Sequence, residues 1–151
     1  MKKERAIMQT FLPFADFKET AQCLDLKRLG KQRVEAMQIL MVLMGLSKGW
    51  SNHPAVAMWR GYEEALSQYA YAICDKWTSH GYKDTCKEKI KQMISSKPVI
   101  MPSWMGSKDF HQSHQSNLLR KKPEHYGKFF TVPNDLPYVW PKGEINARLS
   151  W

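Results

Sequence analysis

The sequence predicts an all-α protein. Apolar residues recur at three- and four-residue steps through two long stretches, polar N-cap signals precede several segments, and none alternates apolar with polar residues as a half-buried strand would. A chain of 151 residues suits one domain around one core. Residues 1–9 read as a flexible extension, with Met8 a conceivable second translation start, and residues 10–151 as a single compact helical domain.

Each element follows from local signals. Asp16 with Glu19 three residues on gives the capping-box pattern that opens a short helix over residues 17–24. Residues 24–46 form the helix around which the chain is organised. Leu29, Val34, Met37, Leu40, Met41 and Met44 supply its inward stripe, and Arg28, Lys31, Glu35 and Gln38 recur on another face. The glycine-rich stretch 45–52 ends it, and Pro54 starts a helix expected to run unbroken to about residue 78. Thr85 and Glu88 predict a capped helix reaching residue 94. Pro98 and Pro102 mark an irregular connection, a polar helix occupies residues 107–122, and Pro123 starts another turn. From residue 131 onward, Pro133, Pro137 and Pro141 lie among aromatics and predict an extended C-terminal arm that wraps the core.

Charge points to a partner. Lys and Arg number 23 against 14 acids, a net charge of +9, and the pI is about 9.5. Such an excess concentrates polyanions, nucleic acid first and an acidic membrane surface second. No apolar run approaches the roughly 20 residues that cross a bilayer, and no signal-peptide block follows the charged start, so a soluble, cytoplasmic, nucleoid-associated protein is expected. Cys23, Cys74 and Cys86 lack paired metal spacing and read as reduced thiols.

Three constellations carry chemical potential. Asp25, Arg28, Lys31, Glu35 and Gln38 would set carboxylates beside cations on one helix face, an arrangement that can activate water or free a lysine to attack an anomeric carbon. The same spacing also suits solvated ion pairs. Asn52 and His53, with Arg60 nearby, open a helix at Pro54 and can cap it or bind an anion. His111, His114, Gln115, Asn117, Arg120 and Lys121 form a hydrogen-bonding helix that would face phosphates or base edges, with Trp104 and Tyr126 as neighbouring aromatic surfaces. His111 and His114 are three apart, but no third ligand pattern accompanies them, and neither metal nor cofactor is expected.

Four segments together resemble the pyrimidine-dimer DNA glycosylases with apurinic/apyrimidinic lyase activity, the phage endonuclease V type. They are LDLKRLGKQRVEAMQIL from residue 24, NHPAVAMWRGYEEAL from residue 52, KWTSHGYKDT from residue 76 and FHQSHQSNLLRKKPEHYGKFF from residue 110. The resemblance implies a helical fold, a basic groove for double-stranded DNA, an extruded base and cleavage of an N-glycosidic bond. In well-known members the nucleophile is the amine of a processed N-terminal threonine; here Lys2 follows Met1, and Arg28 falls near the place of the family's essential glutamate. The expectation is therefore a monomeric base-excision enzyme acting on a damaged or modified pyrimidine. Glu35 or Asp25 would stabilise the sugar cation, Lys31 would be the amine for any lyase step, and Lys27, Arg28, Arg33, Arg120 and Lys121 would hold DNA. A catalytically silent nucleic-acid-binding module and a base-modifying enzyme that does not excise are the alternatives.

Overall fold

The computed structural model describes residues 8–49, 52–95 and 97–141. Among these, seven helices and no strands are present: α1 (Phe17–Cys23), α2 (Leu26–Leu43), α3 (Pro54–Ala57), α4 (Glu63–Ser79), α5 (Cys86–Met93), α6 (Lys108–Lys121) and α7 (Pro123–Tyr126). The all-α expectation holds. No helix among the described residues is long and apolar enough to cross a membrane.

Helix starts follow side-chain chemistry. Asp16 Oδ1 accepts the Glu19 N–H at 2.8 Å and opens α1. At α5 the cap differs from expectation: Asp84, not Thr85, accepts the N–H groups of Cys86 at 3.2 Å and Lys87 at 3.0 Å. A carboxylate outcompetes a hydroxyl for donors at the positive end of a helix. Gly45, at φ 78°, ends α2 and lets the Leu46 N–H return to the Met41 carbonyl at 2.8 Å.

The expected single helix over residues 54–78 is two helices. Between α3 and α4 the chain turns through Met58 to Tyr62, with Gly61 at φ 90°. Only glycine adopts that conformation without strain. The apolar stripe persists across the break because Met58, Trp59 and Tyr62 are buried.

The core packs α2 and α1 against α4. The inward face of α2 is Leu29, Gln32, Ala36, Ile39, Leu40 and Val42, a correction to the expected stripe. Val34 and Met44 are exposed, because five residues from Leu29 rotate Val34 by about 140° around the helix. Residues 131–141 contain no helix and lie along α6, where Ser116 Oγ accepts the Leu136 N–H at 2.9 Å and Ser113 Oγ accepts the Val139 N–H at 3.2 Å. The remainder of the expected arm, and Met1–Ile7 of the expected extension, fall outside the described residues. Met8 and Gln9, expected to be flexible, are buried.

Those two residues begin a buried extended segment whose backbone is satisfied almost entirely by side chains. Gln32 Oε1 accepts the Phe11 N–H at 2.8 Å, and its Nε2 donates to the Gln9 carbonyl at 2.8 Å. Tyr69 Oη lies 2.9 Å from the Phe11 carbonyl. His114 Nδ1 accepts the Leu12 N–H at 2.9 Å, His111 Nδ1 lies 2.8 Å from the Leu12 carbonyl, and Gln115 donates to the Pro13 carbonyl at 2.8 Å. An extended chain in a helical core has no ladder to pair with, so its polar groups need such partners.

Candidate functional site

A cleft of about 170 Å³ opens where this segment meets α2 and the end of α6. Lys27, Arg28, Lys31, Gln32 and Glu35 line it from α2, Gln9 and Phe11 from the extended segment, and Lys121 from α6. The convergence on α2 is a consequence of spacing, since residues three and four apart share a helix face. One carboxylate thus sits among four cationic side chains.

Glu35 is half-buried. Its Oε1 accepts the Gln9 N–H and the Gln32 amide, each at 3.2 Å. Burial pushes its carboxyl above the usual range, and the Gln9 N–H, the Lys31 charge and the Gln32 amide oppose that rise. The result is a fixed carboxyl of increased basicity. Lys121 is exposed, yet partial desolvation of its ammonium, with Arg28, Arg120 and Lys31 around it, holds it below the ordinary lysine range.

Asp25 lies beside the cleft as the N-cap residue of α2, and its carboxylate makes no capping bond to that helix's backbone. Arg28 Nη1 is 3.2 Å from both of its oxygens, the Tyr126 hydroxyl donates to Oδ1, and the Asp25 N–H donates to that hydroxyl oxygen at 3.0 Å. Burial raises the Asp25 carboxyl, but Tyr126 and Arg28 outweigh it and hold it below its usual range. It is an ionised anchor for Arg28 and α7.

The other predicted residues lie elsewhere. Arg33 pairs with Asp84 at 2.5 Å and stacks over Trp77 at 4.6 Å. His53 Nδ1 accepts the Ala55 N–H at 3.0 Å and caps α3. Asn52 is exposed in the preceding turn, and Arg60 is half-buried in the turn after α3. Trp104 is buried against Trp59 and Phe110, its Nε1 donating to the Met58 carbonyl at 3.1 Å. His111, His114 and Asn117 are buried. Asn117 Nδ2 donates to the Ser113 carbonyl at 2.8 Å, and Arg120 donates to Asn117 Oδ1 and the Asn134 carbonyl. The Gly106 N–H donates to His111 Nε2 at 2.9 Å, so Nδ1 carries the proton and donates to Leu12. None of these histidines joins a third metal-ligating side chain, and no such cluster exists among the described residues.

Gln9, Phe11 and Gln32 line the cleft and were not predicted. Gln32 stands three residues before Glu35 in the same motif, a usable signal; nothing in the sequence marked Gln9 or Phe11. A larger hollow of about 790 Å³ lies between α1 and α4. Its charged side chains, Asp16, Lys18, Asp75 and Lys76, balance, so it offers a polyanion no net attraction.

The cleft of this small helical domain thus surrounds one fixed carboxyl with four cationic side chains and carries net positive charge. Residues 8–90, more than half of the chain, match the pyrimidine dimer DNA glycosylase family, and the chain belongs to that family. No curated protein and no solved structure gives a match.

Proposed function

We propose that the protein is a DNA glycosylase that excises a damaged pyrimidine from duplex DNA, with the cleft around Glu35 as its reaction centre. The observation that carries this reading is the placement of that carboxyl among Lys27, Arg28, Lys31 and Lys121 in a chain of the glycosylase family. Breaking the N-glycosidic bond leaves positive charge on the sugar, and a carboxylate held in place by the Gln9 N–H and the Gln32 amide stabilises it without reorganising. Lys27, Arg28 and Lys31 hold the phosphates on either side. An abasic site is the immediate product, and a lyase step follows if an amine captures the sugar.

The test is incubation of the purified full chain with duplexes carrying a pyrimidine dimer or another pyrimidine lesion, followed by hot alkali. Strand breaks at the lesion support the reading. Salt-sensitive DNA binding with no break at any lesion would instead make the protein a silent binding module, and altered bases in digested DNA a base-modifying enzyme.

A further inference from the structure

We propose that Lys121, at the end of α6, is the amine that attacks C1′ of the damaged nucleotide and carries the covalent Schiff-base intermediate. This rests on the glycosylase reading of the same cleft, and it replaces Lys31, the sequence-based choice. The family match ends at residue 90, so α6 and Lys121 lie beyond it.

Helix of origin and electrostatic neighbours separate the two lysines. Both line the cleft with Glu35. Lys31 lies on the same helix as Glu35, and its charge opposes the rise of that carboxyl. Lys121 reaches the cleft from another helix and makes no ion pair with a carboxylate among the described residues; its electrostatic neighbours are Arg28, Arg120 and Lys31. Desolvation and like charge both favour its neutral, nucleophilic form, the usual way a lysine is prepared for attack on a carbonyl-like carbon.

The step balances without a cofactor. The Lys121 Nζ lone pair bonds to C1′ as the C1′–N1 bond breaks, and that electron pair leaves with the pyrimidine, which takes a proton from water. The new ammonium gives a proton to the Glu35 carboxylate. The nitrogen lone pair then expels O4′ from C1′, O4′ receives that proton, and a protonated imine remains. Water hydrolyses the imine to the abasic aldehyde and returns the amine.

The experiment uses the full chain, a dimer-containing duplex and sodium borohydride, which reduces an imine to a stable secondary amine. The adduct is digested and its position read by mass spectrometry. In parallel, Lys121→Arg, which keeps the charge and cannot form the imine, is assayed for trapping, alkali-labile sites and DNA binding. The expected result is an adduct on Lys121 and loss of trapping in the variant with DNA binding retained. An adduct on Lys27, Lys31 or an α-amine overturns the proposal, as does undiminished trapping by Lys121→Arg. Alkali-labile sites without a trapped adduct also overturn it while leaving the glycosylase reading intact, with water as the nucleophile. Absence of both products overturns the two together.

Discussion

His114 accepts the backbone N–H of Leu12 on its Nδ1 at 2.9 Å, and the contact fixes the imidazole as neutral deep in the protein. Its Nε2 carries the proton and has no hydrogen-bond partner among the described residues, while the rings of Phe110 and Tyr138 pack around it at centroid distances of 4.4 and 5.4 Å. Protonating Nδ1 would break the Leu12 bond and bury a charge. Burial and the neighbouring His111 push its pKa from 6.5 down to about 3.

Acid should therefore unfold the protein early. A histidine with a depressed folded pKa contributes fully above its unfolded value near 6.5 and loses that contribution as pH falls toward about 3. His111 is also lowered, by burial, and adds to the slope. Each contributes about 1.4 kcal/mol per pH unit where it is protonated only in the unfolded chain. Glu35, raised by burial, works the other way near its ordinary value of 4.5. Denaturant titrations at several pH values should show stability falling below pH 6. A flat profile down to pH 4 contradicts the histidine clamp.

Tyr126→Phe should cost about 1–3 kcal/mol, because the Asp25 N–H loses its acceptor and the buried carboxylate a donor. Thermal unfolding measures the loss directly. An unchanged midpoint would contradict a stabilising role for the Tyr126 hydroxyl.

Arg33 and Lys27 separate structure from binding. Arg33→Ala leaves the buried Asp84 carboxylate without its cation and exposes the face of Trp77, an expected loss of about 3–5 kcal/mol. Lys27→Ala removes an exposed cation that lines the cleft. It should leave stability within about 0.5 kcal/mol and reduce the salt dependence of DNA binding by about one counterion. Fluorescence anisotropy across a salt series, beside the melting curves, reads both. The reverse pattern would move the DNA surface to the Arg33 side.

Much of the fold was legible because helices are local. The boundaries of α1 and α2 followed from Asp16 and the glycine-rich stretch, and Lys27, Arg28, Lys31 and Glu35 share a cleft because helical spacing puts them there. Long-range matters were not legible. Tyr126 meets Asp25 across 101 positions, and Lys121 joins the cleft only when α6 docks. The polar helix α6 taught the most. Its histidines, Gln115 and Asn117 suggested a surface for bases, but both histidines and Gln115 satisfy the backbone of the Gln9–Pro13 segment, and Ser116 that of the C-terminal arm. A polar helix can be buried when an extended chain beside it needs partners, and composition alone does not reveal that need.

Glu35→Gln tests the central claim most directly, in single-turnover excision from a pyrimidine-dimer duplex with DNA binding measured alongside. The amide can still accept the Gln9 N–H, so fold and affinity should persist while excision falls by about 10²–10⁴-fold. Excision at the wild-type rate by the variant, or no excision by the wild-type protein, would contradict the assignment of the cleft as the reaction centre.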